Sequence, residues 1–302
     1  MYSKLLPWLL LLGFAVTVNS ASAAAAPAAQ TAGQIRAKRV VGEVTVTDKA
    51  TNATQPLVND ALVSQGSIVT TGKGASVVLN FSNGANINLG TDSSLDIQQF
   101  TQDPFGTAIH ADTITEEPTT SQTRLQLIHG ELVGKVAKLK TTEGSSFNIT
   151  TPVGAAGIRG TTFRIVYRPD GTGKAFFSLT TLEGNVEVTL ATGTVTPPIA
   201  VTDDKEVVLA DVTVDVNPQT GVVTITTAAG TTVVPVDAPT TSTQLVVAAA
   251  QQIATAIAAL VIPPTSGNGT TGGTTSGTTG TNQDTSSPGP TTTNRTTPGD
   301  GK

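Results

Sequence analysis

The residues able to do chemistry are few, and their spacing argues against catalysis. The 302-residue chain holds only two histidines, His110 and His129, and no cysteine. Neither histidine has a short-spaced partner, so a zinc site or Cys/His nucleophile has no support. Glu116-Glu117 and Asp203-Asp204 are adjacent acids, too close in sequence to converge on one site, and are expected to face solvent. A Ser/His/Asp triad assembles by geometry rather than spacing, but no nucleophile-elbow glycine pattern accompanies one here. Gly154, Gly157 and Gly160 recur every three residues, yet they lack the Walker lysine, the full dinucleotide fingerprint and a following helix pattern. The expectation is therefore a non-enzymatic protein with no catalytic, cofactor-binding or metal-binding residues.

Arg159 is the one charge between Thr150 and Phe163, and two roles suit it. Its guanidinium can offer donors to a partner's carboxylate. Alternatively it ties a glycine-rich crossover to an internal acid, Glu131 or Glu183, or to turn carbonyls. In the second case Arg159→Ala would cost about 2–4 kcal/mol, as for breaking a buried charge pair. Glu183, just before Gly184, carries the same ambiguity. Pro152, which removes a backbone donor, suits the interior of a central strand poorly. Gly154, Gly157 and Gly160 permit turns or close backbone approach, so alanine at Gly157 or Gly160 is expected to destabilise. Pro152, Gly154, Gly157, Arg159, Gly160, Glu183 and Gly184 form the set of candidate structural or interaction residues.

The elements around them read as short strands. Val44 and Val46 alternate with threonines, and Val77, Leu79 and Phe81 share one face with Val78 and Asn80 opposite. Ser82-Asn83-Gly84 is the strongest turn signal, because Asn-Gly tolerates positive φ. Ile87, Leu89, Leu95 and Ile97 resume the apolar face. After an irregular excursion over 101–123, Leu125, Leu127, Phe147 and Ile149 lead into the glycine-rich stretch. Phe163, Ile165 and Tyr167 then alternate with Arg164 and Val166. Pro169-Asp170-Gly171-Thr172-Gly173 is a second turn. No amphipathic helix separates these strands, which predicts an all-β sandwich or stacked coils rather than a βα alternation.

Residues 197–240 still read as β and either cap this domain or form a small module of their own. Residues 241–262 are Ala-rich and predict a helix; a span of 18 residues there is about 27 Å long. A second membrane span is the alternative reading, opposed by Gln251, Gln252 and the absence of flanking Lys or Arg. From 263 to 302 no large apolar residue occurs, so the tail is expected to be disordered.

Lys4 precedes an apolar run over 5–18, followed by Asn19-Ser20-Ala21-Ser22-Ala23. This is the pattern of a cleaved secretory signal over 1–23, with an uncleaved anchor as the alternative. Residues 24–39 read as an Ala-rich leader, frayed or shortly helical. Charged residues are 13% and the net charge is −5, against a general nucleic-acid binder; Arg36-Ala37-Lys38-Arg39 is too short to reverse that.

In order along the chain stand Gly66-Ser67-Ile68-Val69-Thr70-Thr71-Gly72, Asn83-Gly84, Ile87-Asn88-Leu89-Gly90 and Leu95. Phe147-Asn148-Ile149-Thr150-Thr151-Pro152-Val153-Gly154 follows, then Gly157-Ile158-Arg159-Gly160-Thr161-Thr162-Phe163 and Leu182-Glu183-Gly184-Asn185-Val186. Together they resemble the FecR domain family over residues 40–190. That family occurs in bacterial periplasmic anti-sigma regulators and in stand-alone exported proteins. The resemblance implies a partly solenoid-like β domain that acts by protein contacts without a catalytic centre. Its signalling members add a cytoplasmic segment, a membrane helix and a receptor-contacting domain. Here the N-terminal run is shaped as a signal peptide. The expectation is an exported protein-binding or scaffold module of the periplasm or cell surface, meeting an envelope or cell-surface protein, without a stable membrane span after signal cleavage. The alternative is an envelope regulator of the anti-sigma type; a polysaccharide-binding or hydrolytic surface protein is a third.

Overall fold

The structure, a computed structural model, describes residues 30–192, 197–227 and 233–265. The first nine strands are β1 (Thr31–Ala32), β2 (Ile35–Val41), β3 (Val44–Asp48), β4 (Thr54–Pro56), β5 (Leu62–Val63), β6 (Ser67–Thr71), β7 (Ser76–Phe81), β8 (Asn86–Leu89) and β9 (Ser93–Gln102). Then come β10 (Ile109–His110), the long β11 (Ser121–Lys135), β12 (Ser146–Thr151), β13 (Gly154–Ile158), β14 (Thr162–Pro169), β15 (Lys174–Glu183) and β16 (Val186–Leu190). The C-terminal part adds β17 (Ile199–Val201), β18 (Lys205–Val216), β19 (Val223–Thr226), β20 (Val236–Asp237), α1 (Thr240–Ile257) and β21 (Val261–Ile262).

Two sheets share β11. The first runs β4-β3-β6-β9-β11-β12-β13-β16-β17, with only β11 and β12 parallel and β1 extending beside the end of β9. The second runs β5-β2-β7-β8-β11-β14-β15-β18, edged by β19 and β20. Residues 121–129 of β11 pair in the first sheet and 130–135 in the second. The chain passes repeatedly between the sheets, and neighbouring crossings hydrogen-bond to one another. Gly72 N–H donates to Glu43 O (2.8 Å), Asp92 N–H to Gly72 O (3.1 Å) and Gly90 N–H to Glu131 O (2.9 Å). These stacked corners give the solenoid-like character.

Period-2 alternation explains the core between the sheets. Val77, Leu79 and Phe81 are fully buried there, as are Ile87, Leu89, Leu95 and Ile97. Phe81 meets Phe100 and Phe147 edge-on, with ring centroids 5.1 and 6.3 Å apart. Val207, Leu209 and Val212 of β18 join the same core, so 197–227 continues both sheets and is no separate module.

Two expectations change. The leader reading of 24–39 fails from residue 31 onward, because β2 pairs with β7 and buries Ile35 and Ala37 completely. Arg36, Lys38 and Arg39 mask that alternation in the sequence; Arg36 and Lys38 reach Asp60 instead of fraying into water. The excursion over 101–123 is also more ordered than expected. β9 runs to Gln102, β11 starts at Ser121, and β10 between them pairs with β21.

The helix forms where 241–262 predicted one but ends at Ile257, and Val261–Ile262 is β21 instead. The helix places Val246, Ile253 and Ile257 on one buried stripe against the outer face of the second sheet. Ile253 and Ile257 join Val78, Phe105, Ala111, Leu260 and Ile262 in a second apolar cluster. Ser242, in the first turn, donates to the buried Glu206 carboxylate (3.1 Å), a charge favoured at a helix N-terminus. Among the described residues no helix is long and apolar enough to cross a membrane, which removes the second-span reading of α1. The signal-peptide reading, and the tail reading beyond residue 265, fall outside the described residues.

Candidate functional site

The stretch from Thr150 to Phe163 is a strand with a turn at each end. Pro152 and Val153 form the turn between β12 and β13, where a missing N–H breaks no ladder bond. Thr151 Oγ1 accepts from Val153 N–H (3.2 Å) and donates to Gly154 O (3.3 Å). Gly154 opens β13, which lies between β12 and β16. A Cβ there would sit 2.3 Å from Thr189 O, so the approach of β16 requires glycine. Gly157 differs: its nearest neighbours would be 3.7 and 3.8 Å away, ordinary contact. The expected clash at Gly157 does not exist.

The crossover itself is confined to Arg159, Gly160 and Thr161, where the chain leaves the first sheet for the second. Gly160 has φ +82°, and a Cβ would lie 2.9 Å from Lys138 Cα. The return crossing runs through Gly184 and Asn185. Gly184 has φ +93°, its Cβ position is 2.9 Å from Gly160 O, and its N–H donates to Asp203. Three successive crossings thus stack at this corner. Glu183, at the end of β15 opposite Thr162, is exposed.

Arg159 meets neither Glu131 nor Glu183. Its Nη2 donates to Glu187 Oε2 on β16 (2.9 Å), with the two side chains 57% and 37% exposed. The reason is register: β13 and β16 are neighbours, and Gly157 lies opposite Glu187. A pair so open to water is worth little to stability. Around it lies a groove of about 420 Å³, lined in part by Thr141, Ser145, Asn148 and Gly157. Hydroxyls, an amide and one ion pair make this a hydrogen-bonding surface rather than a reaction centre.

Glu131 belongs to another cluster, on the outer face of the second sheet. Arg164 Nη2 (2.6 Å) and Arg168 Nη2 (3.3 Å) both donate to its Oε2. Sequence reasoning placed Arg164 opposite the apolar face of β14 but did not join it to Glu131. The visible signal is the i, i+4 alternation of Arg164, Val166 and Arg168. Three further acids are buried. Glu206 accepts from Ser178 (2.6 Å), Thr180 (2.8 Å) and Ser242; Asp96 pairs with Lys49 (2.7 Å). Glu117, expected in solvent, is 2% exposed and accepts from Ser121 (2.7 Å) and Lys140 N–H (2.6 Å). His110 lies on β10 and His129 on β11, and among the described residues no group of three or more acids and histidines could hold a metal.

Residues 67–187 match the family model described as FecR protein. This stretch is similar to a FecR domain. That match spans β6 into β16 and includes Pro152, the three glycines, Arg159, Glu183 and Gly184. A comparison with curated proteins finds no match. Two crystal structures of a candidate anti-sigma factor from Parabacteroides distasonis ATCC 8503 align with 12% identity and a TM-score of 0.34. Each alignment covers 53% of this chain and 59% of the other.

Proposed function

We propose that this protein is an exported, non-enzymatic module of envelope signal transduction, regulating by contact with another envelope or cell-surface protein. The FecR match over residues 67–187 is the observation that supports it. The corner and groove at Arg159 and Glu187 offer polar groups to a protein surface and hold no nucleophile-base pair. A net charge of −5 disfavours nucleic acid as the partner. The N-terminal signal pattern carries the export part of the reading. The test joins two measurements in the native bacterium. Photo-crosslinking from position 159 should capture one envelope protein, and deletion of the gene should change transcription from an extracytoplasmic sigma-factor promoter. Capture without a transcriptional change would make the protein a scaffold and overturn the regulatory reading. Recovery of the intact N-terminus in the cytoplasm would overturn export.

A further inference from the structure

Beneath α1, against the outer face of the second sheet, lies a cleft of about 290 Å³. Its polar wall is Asn88, Glu131 and Arg164; its other wall is Leu245, Ala248 and Gln252 of the helix. Asn88 Nδ2 donates to Gln252 Oε1 (2.8 Å) and closes one end. Cross-strand register builds the charge: Glu131 on β11 lies opposite Val166, so Arg164 and Arg168 flank it diagonally on β14. Both guanidiniums converge on one carboxylate oxygen, which leaves the cluster with a net charge of +1. Arg164 is only 14% exposed, and one of its five N–H donors is engaged by Glu131. A further acid on this face is Glu206. It lies two strands from Arg164, about 10 Å by strand spacing, and three hydroxyls already hold it.

We propose that this cleft receives an acidic side chain from a partner protein, with Arg164 binding the carboxylate and Arg168, half exposed at the same acid, steering it in. A buried guanidinium that shares its counter-ion with a second one is a strong carboxylate acceptor. The apolar wall of Leu245 and Ala248 suits the methylene stem of a Glu or Asp. No aromatic ring lines the cleft to stack a sugar. Glu131 is then an internal competitor that the partner's acid displaces or joins. The identity of the ligand as a protein rests on the regulatory reading above; the carboxylate chemistry does not.

The test titrates acetylated, amidated Ala-Glu-Ala and its Ala-Gln-Ala counterpart into the full chain, read by NMR shifts of Arg164 and Gln252. Binding of the Glu peptide alone is expected. Arg164→Gln should weaken it at least about tenfold, the usual consequence of removing one partner of a close charge pair. Glu131→Gln should tighten it by removing the competitor. Ala248→Phe fills the cleft without touching an ion and should abolish binding at unchanged melting temperature, so the outcome does not depend on Arg164→Gln folding. Equal binding of both peptides, or binding that survives Ala248→Phe, would overturn the site. Preference for glucuronate over the Glu peptide would overturn the protein ligand. Failure here beside a responsive sigma-factor reporter rejects the cleft alone, whereas peptide binding beside a silent reporter rejects the regulatory role.

Discussion

Glycines three residues apart are equivalent on paper and different in place. Gly160→Ala puts an L-residue at φ +82° beside the Lys138 backbone and should cost about 1–2 kcal/mol or more. Gly154→Ala drives a Cβ into Thr189 O and should cost about 3 kcal/mol. Gly157→Ala should be neutral or stabilising by about 0.5–1 kcal/mol, since alanine loses less freedom in a strand. Arg159→Ala should cost under about 1 kcal/mol, well below the figure for a buried pair. Thermal melts of the four variants check this order, and a neutral Gly160→Ala would refute the strained corner. Asp170 gives the residue scale a pH dependence. The Thr172 N–H, then the Thr172 hydroxyl, hold its carboxyl below the ordinary value of 3.8. Its support of the β14–β15 turn is therefore complete above 3.8 and is lost as pH falls through the lowered folded value. An NMR titration should find Asp170 titrating below a free aspartate, and Asp170→Asn should remove that part of the acid sensitivity.

At the scale of elements, α1 is attached to the second sheet differently from the way strands are attached to each other. Its contact surface mixes a small apolar cluster with Asn88, Arg164 and Glu206, while the strands share one large core. Ile253 of α1 is fully buried on its sheet-facing side. Ile253→Ala should weaken docking by about 2–4 kcal/mol, the usual range for a large-to-small core change. Amide exchange should show the loss confined to α1, β10 and β21, with β7, β8 and β14 still protected. Equal deprotection of those strands would mean that the helix and the sheets unfold as one unit.

For the whole molecule, the family match and the folding unit have different boundaries. The match stops at residue 187, but β16 still needs β17, and β15 needs β18. Ile35 and Ala37 on one side, with Val207, Leu209 and Val212 on the other, belong to the same core. A chain cut to 67–187 should leave two-sided apolar edges and elute as aggregates, whereas 30–265 should elute as a defined species by size-exclusion chromatography. A soluble, cooperatively melting 67–187 fragment would show that the flanking strands are ornaments.

Local physics set most of the elements before any contact was known. Alternating apolar residues placed β7, β8 and β14; Asn83-Gly84 and Asp170-Gly171 placed two hairpins; an Ala-rich run free of Gly and Pro placed α1. These signals lie within a few residues of each other and depend on backbone preference and one buried face. Other features depend on register between strands far apart in sequence. Arg159 meets Glu187 because β13 lies beside β16, and Glu131 meets Arg164 and Arg168 because β11 lies beside β14. Ile35 and Ala37 are buried because β2 finds β7, although basic residues surround them in the chain. A side chain's type is written in the sequence, but its neighbour is chosen by pairing, and pairing follows from the closing of the common core.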